Sequence, residues 1–106
     1  MTEDLGDFFA LPPFKADEAL VTLRRQLRDL KPLVEKSTTA PWRFEYRGKP
    51  CVALSLSADQ AVIEAEWTPK LSVRPQWQTQ GLSSSAEVRK FVDQIKLQMR
   101  RWDDED

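Results

Sequence analysis

Alternating apolar and polar residues between positions 42 and 67 predict three consecutive β-strands. In the first strand, Trp42, Phe44 and Tyr46 alternate with charged residues, and this period of two is typical of a strand with one buried face. The alternation continues over residues 51–57 and 61–67, each after a short turn-forming segment. Three strands joined by short turns predict an antiparallel meander.

The length of the first hairpin connection decides which side chains share a face of the sheet. A connection with an odd number of residues, such as 47–49, pairs Phe44 with Val52 and leaves Cys51 on the opposite face. A two-residue connection would place the aromatic side chains opposite small ones. We therefore predict the odd connection, because it collects the apolar residues on one face.

A 3-4 repeat of apolar residues predicts a helix that begins near Asp17, which is a suitable N-cap. The residues of this repeat are Leu20, Leu23, Leu27, Leu30 and Val34. Pro32 predicts a stop or a kink, and a further helical turn through residue 36 remains possible. So short a repeat indicates core packing rather than a coiled coil.

The S-x-x-E spacing of Ser84 and Glu87 predicts the start of a second helix, with Ser84 as the N-cap. The apolar residues that follow lie on one helical face and are Val88, Phe91, Val92, Ile95, Met99 and Trp102. Residues 76–82, just before this helix, are predicted to form a fourth, outer strand with Trp77 and Thr79 on one side.

These elements predict one α+β domain over residues 16–102. A three- or four-stranded antiparallel meander is flanked by an N-terminal and a C-terminal helix packed on one face, in the order α-β-β-β-(β)-α. Residues 1–15 are predicted to form an extended arm rich in proline and phenylalanine. Residues 103–106 are expected to fray, since acidic groups are unfavourable at the negative end of a helix dipole.

Length and composition narrow the class of protein. The chain has 106 residues, which is too few for two domains, and its single cysteine excludes an internal disulfide and fits a reducing compartment. No apolar stretch approaches the ~18 residues of a membrane span, and the acidic N-terminus lacks the basic start of a secretory signal. We therefore expect a cytoplasmic protein without a membrane partner, as a monomer or weak dimer.

The charge is distributed unevenly along the chain. Seven of the 17 acidic residues lie in the two ends of the chain, whereas all 16 basic residues lie between them. The body of the protein is therefore mildly basic. Such a charge permits a polyanionic partner but also serves solubility alone.

The candidate chemistry favours a protein that is not an enzyme and needs no cofactor or metal. The chain has no histidine, which removes the commonest general base and metal ligand. The basic residues Arg47 and Lys49 could lower the pKa of the Cys51 thiol, and Glu64 and Glu66 share one strand face. A structural role is the favoured interpretation for the cysteine and for the glutamate pair.

The function that we expect is that of a non-enzymatic protein-interaction module. Its predicted docking segment is the N-terminal arm, whose apolar residues are Phe8, Phe9, Leu11 and Phe14. The favoured interpretation of the arm by itself is that these side chains cover the core of the domain.

The alternative function is weak, salt-dependent binding of single-stranded nucleic acid. Basic groups and one aromatic ring on or near the outer face of the sheet would attract phosphates and stack on bases. The residues predicted for this role are Arg43, Arg47, Lys49, Arg74 and Trp77. Because Glu45, Glu64 and Glu66 share that face, a lattice of cross-strand ion pairs is the favoured interpretation there.

A second basic surface is possible if the two helices lie side by side. Its residues are Arg24, Arg28 and Lys31 on the first helix and Arg89, Lys96 and Arg100 on the second. A solvated helix face is the favoured interpretation of these charges.

Overall fold

The computed structural model describes residues 13–105, which form two helices and one antiparallel sheet of five strands. The elements are α1 (Ala16–Arg28), β1 (Leu33–Glu35), β2 (Trp42–Tyr46), β3 (Lys49–Leu56), β4 (Ile63–Trp67), β5 (Gln78–Leu82) and α2 (Ser85–Glu105). The strands lie in the sheet in the order of the chain. The predicted α+β fold is confirmed, but the sheet has five strands rather than three or four.

Both helices pack on one face of the sheet and share one hydrophobic core with it. Fully buried members of this core include Leu23, Leu27, Leu33, Phe44, Tyr46, Leu54, Ile63, Phe91, Ile95 and Trp102. The opposite face, called the outer face below, carries Val34, Arg43, Glu45, Ala53, Ser55, Glu64, Glu66, Thr79 and Gly81. Neither helix of the described region is long and apolar enough to cross a lipid bilayer.

The extra strand is β1, in a segment where the sequence pattern permits a further helical turn. The first helix ends at Arg28, and the chain then runs antiparallel to β2 with Leu33 opposite Tyr46. Pro32 disfavours helical geometry at the residue before it, and Leu33 is buried against the sheet. Val34 therefore belongs to the outer face, where it is exposed, and not to the helical repeat.

The register predicted for the first hairpin is confirmed, since Trp42 lies opposite Leu54 and Phe44 lies opposite Val52. The predicted connection is wrong, however. The turn contains only Arg47 and Gly48, with positive φ angles of 54° and 83°, as a two-residue hairpin turn requires.

The additional residue lies in the strand instead of the turn. The register shifts after Phe44, so that Glu45 lies opposite Pro50 and Cys51 has no partner of its own. This β-bulge turns the Cys51 side chain into the core, where it is fully buried, and not to the outer face.

The start of α2 follows the predicted capping pattern with one difference. The Glu87 N–H donates to Ser84 Oγ at 3.1 Å, but the Glu87 carboxylate accepts from the N–H of Ser83, at 2.8 Å, instead of that of Ser84. The helix continues to Glu105, beyond the predicted end of the domain at residue 102. Trp102 is fully buried, and its Nε1–H donates to the Thr68 carbonyl at 3.1 Å.

Candidate functional site

The five residues predicted to contact nucleic acid lie in different parts of the fold. Arg43 is exposed on the outer face, whereas Arg47 and Lys49 belong to the first hairpin turn and the start of β3. Arg74 is exposed in the connection between β4 and β5, and Trp77 is half-buried just before β5. β2 and β5 lie about 14 Å apart across three strand spacings, so Arg43 and Trp77 belong to opposite sides of the sheet.

Arg47 extends towards the end of α2 and not over the outer face. Its guanidinium lies 3.0 Å from the Asp103 carboxylate and 5.4 Å from the ring centre of Tyr46. The Tyr46 hydroxyl donates a hydrogen bond to the same carboxylate, and its ring lies 5.4 Å from that of Trp102. Asp103, which belongs to the segment expected to fray, therefore joins α2 to the hairpin.

The outer face carries more acidic than basic side chains. Arg43 lies opposite Ala53, which in turn lies opposite Glu66, so one small residue separates the two charges. Within residues 13–105, no ion pair joins Arg43 to Glu45, Glu64 or Glu66. In the described part of the chain, the cross-strand ion pairs predicted for Arg43 are therefore not formed.

The basic residues of α1 contact β1 instead of joining those of α2. The Arg24 Nε lies 2.7 Å and the Arg28 Nη1 2.9 Å from oxygens of the Glu35 carboxylate. The Arg24 guanidinium also lies 4.6 Å from the ring centre of Trp42. Burial raises the pKa of Glu35, but the hydrogen bonds and charges of the two arginines outweigh it and hold this pKa below 4.5.

Two of the three corresponding residues of α2 line a cleft between the helices. Arg89 and Lys96 border a space of about 380 Å³ between the two helices, next to the carboxylate of Asp93. The second basic surface predicted from the sequence is therefore divided, because its α1 arginines are engaged at β1.

Cys51 lacks the properties of a catalytic thiol. It is fully buried, and its Sγ lies 3.5 Å from the Phe44 carbonyl, to which it donates. Burial raises the pKa of the thiol to about 12, with a further contribution from the charge of Glu45. A thiol with this pKa is protonated at neutral pH and is a poor nucleophile. In the part of the chain that the structure describes, no group of three potential ligands could hold a metal ion.

The predicted docking arm lies mostly outside the described residues. Phe8, Phe9 and Leu11 precede residue 13, and only Phe14 is described. Phe14 is half-buried and packs against the hydrophobic core. Phe14 therefore covers the core of the domain, as the alternative to the docking hypothesis predicts for this residue.

The sequence pattern predicts β5 as an outer strand but does not show that the edge of this strand is free. The strand comprises Gln78–Leu82 (QTQGL), with no proline and no charged side chain. It pairs with β4 on one side, and within residues 13–105 no hydrogen bond is made to the backbone on its other side. Unprotected edges of this kind are templates for a further strand.

The hydrogen-bond pattern identifies the backbone groups that face this edge. The Ser57 N–H donates to the Val62 carbonyl at 2.9 Å, which places the even-numbered residues of β4 in bonds to β3. The odd-numbered residues of β4 therefore bond to the even-numbered residues of β5, because bonded positions alternate in an antiparallel ladder. Thr79 and Gly81 thus direct their N–H and C=O groups outwards.

A groove of about 440 Å³ lies next to β5, between Trp67 and the flank of α2. Gln80 of β5 accepts hydrogen bonds from Trp67 Nε1, at 3.2 Å, and from Gln94 Nε2, at 3.3 Å. The groove is on the flank of α2 opposite to the cleft with α1, and it contains Leu97, whose side chain is 60% exposed. The edge and the groove together form the candidate site.

Comparisons with protein-family models, with curated proteins and with solved structures find no significant match to this chain. The function proposed below therefore rests on the geometry of the described residues.

Proposed function

We propose that this protein is a non-enzymatic interaction module that binds an extended segment of a partner protein along the free edge of β5. The observation that carries the proposal is a five-residue edge strand whose outward backbone groups, at Thr79 and Gly81, are unpaired within the described residues. Addition of a strand would satisfy these groups, while the adjacent groove would receive side chains of the partner.

The other edge of the sheet supports the proposal by contrast. β1 has only three residues, it follows Pro32 directly, and its Glu35 is held by two arginines. Short length, proline and charge are the usual means by which a protein prevents pairing at an edge. β5 has none of these protections, although it is the longer of the two edge strands.

The alternatives have weaker support. A catalytic role has no activated nucleophile in the described residues, since Cys51 is buried with a raised pKa. Binding of nucleic acid through the outer face is opposed by Glu45, Glu64 and Glu66, because carboxylates repel phosphates.

The experiment uses a capped peptide of about seven residues with alternating glutamine and valine, which is long enough to pair with β5. We expect the peptide to slow hydrogen exchange of the outward amides of Thr79 and Gly81 in the wild-type protein. Thr79→Pro removes one outward N–H without removing a bond to β4, so it should abolish this protection. The matched control Thr79→Val keeps the N–H and should bind as the wild type does.

A modified form of the peptide tests the same pairing on the wild-type protein, so that a folding defect of the proline variant cannot affect the result. Two versions of the peptide are N-methylated at alternate residues, either at the glutamines or at the valines, so that each lacks donors on one edge only. Pairing with β5 predicts that one version binds the wild-type protein and the other does not. Equal binding of both methylated versions would contradict the proposed function. Failure of the unmethylated peptide and of both methylated versions to protect the β5 amides would also contradict it.

A further inference from the structure

We infer that the partner segment of β5 is an amphipathic strand with basic residues on the outer-face side and apolar residues on the groove side. This inference rests on the proposed function, and it adds the chemistry that the partner must have. Two sets of side chains support this inference, one on the outer face of the sheet and one on the groove side.

On the outer face, two glutamates lie one strand behind the edge. Glu66 lies opposite Thr79, and Glu64 lies opposite Gly81. A residue added beside Thr79 or Gly81 would be about 10 Å from the corresponding glutamate, counted between Cα atoms across two strand spacings. Only a threonine or a glycine lies between, so the long side chain of a lysine or arginine can pass over it and reach the carboxylate.

Neither glutamate has a cationic partner within the described residues. Glu64 has Ser55 on its other side, and Glu66 has Ala53 there, with Arg43 one strand further away and without an ion pair to it among the described residues. Val62 is half-buried beside Gly81, where its Cγ1 lies 3.1 Å from the position that a Cβ would occupy. Its methyl groups offer an apolar surface for the stem of a basic side chain.

On the groove side, the preference is for apolar residues. Side chains of an added strand alternate between faces, so every second one would point towards the groove beside Trp67 and the exposed Leu97. The rim of this groove carries two cations, Lys90 and Arg101, and one carboxylate, Asp93, so its formal charge is positive. These cations disfavour a basic residue on this side, and the partner therefore needs its positive charge on the outer-face side alone.

A second copy of this chain fits the edge less well. Pairing of two β5 strands about Gln80 would set Thr79 opposite Gly81 of the other copy, which supplies no cation to Glu64 or Glu66. It would also bring two further glutamates onto the same face. Charge complementarity therefore favours a basic segment of a different protein.

The test compares three capped peptides of about seven residues, in which valine alternates with lysine, glutamine or glutamate. We expect all binding to occur at β5, measured as protection of the Thr79 and Gly81 amides, with the lysine peptide tightest and the glutamate peptide weakest. The preference for lysine over glutamine should decrease with added salt, since the glutamates are partly exposed.

Variants of the two glutamates locate the source of the preference. Glu64→Gln and Glu66→Gln should each weaken binding of the lysine peptide by about twofold to fivefold and leave the glutamine peptide unchanged. Glu45→Gln is the matched control, because Glu45 lies on the same face but on β2, about 14 Å from β5. It should have no effect.

The possible outcomes separate this inference from the proposed function. Equal protection of β5 by all three peptides would retain the proposed function and overturn the inferred chemistry. Binding of the lysine peptide without protection of the β5 amides would overturn both. Protection of the Thr79 and Gly81 amides that appears without peptide and rises with protein concentration would identify a second copy of the chain as the occupant. This result would overturn the inference of a basic partner.

Discussion

Glu35 of β1 accepts hydrogen bonds from Arg24 of α1 through both of its carboxylate oxygens, at 2.7 and 3.3 Å. The Glu35 side chain is only 10% exposed, and Arg28 binds the same carboxylate from the next turn of the helix. These contacts fasten the three-residue edge strand to the helix that packs beside it. They also hold the pKa of Glu35 below its ordinary value, with consequences for stability in acid.

Glu35→Gln should lower the free energy of unfolding by about 1 to 2 kcal/mol at neutral pH, because charge-assisted hydrogen bonds are lost. The folded-state pKa of Glu35 is lowered, so its contribution is complete above pH 4.5 and is lost as pH falls through the lowered pKa. Urea unfolding over a descending pH series should therefore show the variant and the wild type converging in acid.

The matched control for this prediction is Glu18→Gln. Glu18 pairs with Lys15 at 3.5 Å, but both side chains are about 70% exposed. We expect a change within about 0.5 kcal/mol, as for other exposed ion pairs. If the difference in free energy of unfolding between the wild type and Glu35→Gln stayed constant down to the lowest pH, the pKa of the Glu35 carboxylate would not be lowered by folding.

The contact between Tyr46 and Asp103 predicts energetic coupling between the hairpin and the last turn of α2. Tyr46→Phe and Asp103→Asn should each destabilise the protein, and the double variant should be less destabilised than the sum of the two by about 1 kcal/mol. Asp104→Asn is the control, since Asp104 is exposed and adjacent in sequence. Additive losses in thermal or urea unfolding would show that the hydrogen bond contributes nothing.

The sequence pattern was sufficient for the fold class, for four of the five strands and for both helices. β1 was missed because the strand has only three residues, of which only Leu33 is buried. A strand of this length is too short for an alternation of apolar and polar residues to be recognised. The bulge at Cys51 was missed for another reason. An extra residue in the turn and an extra residue in the strand give the same register between Phe44 and Val52, and only the backbone angles of the turn distinguish them.

The candidate site could be predicted only in part. Residues 76–82 were recognised as an outer strand, but whether other parts of the chain cover its edge depends on the assembled tertiary structure. Arg47 was assigned to the wrong surface because strand alternation does not hold in a turn, where a positive φ redirects the side chain. The distribution of glutamates on the outer face, by contrast, follows from strand parity and was visible in the sequence.

Gly48 should be sensitive to substitution through its backbone alone. Its φ angle is 83°, and a Cβ at this position would meet no atom within 4 Å. Gly48→Ala should therefore cost about 1 kcal/mol in unfolding experiments through the left-handed conformation, without any clash. Gly48→Asn should cost less, because asparagine tolerates this conformation. Equal stability of the alanine variant and the wild type would show that the turn can adopt another geometry.

Cys51 should resist thiol reagents as long as the protein remains folded. Because its side chain is fully buried and its pKa is raised to about 12, a disulfide reagent at mildly alkaline pH should react only as fast as the protein opens. At a urea concentration that unfolds the protein, one thiol per chain should react rapidly. This control shows that the reagent is active. Fast labelling under native conditions would place the thiol at an accessible and activated position.

The same pKa gives a prediction for stability at high pH, where the sign is opposite to that of Glu35. The folded-state pKa of the thiol is raised above its ordinary value of 9.0, so the contribution of Cys51 is complete below pH 9.0 and is lost as pH rises above it. Cys51→Ala removes this titration together with some packing. The variant should be less stable than the wild type at neutral pH, and the difference should narrow in urea unfolding above pH 9.0 because only the wild type loses stability through the thiol. A difference that did not change across this range would mean that the unfolded and folded thiols have the same pKa, which is incompatible with a cysteine buried beside the bulge.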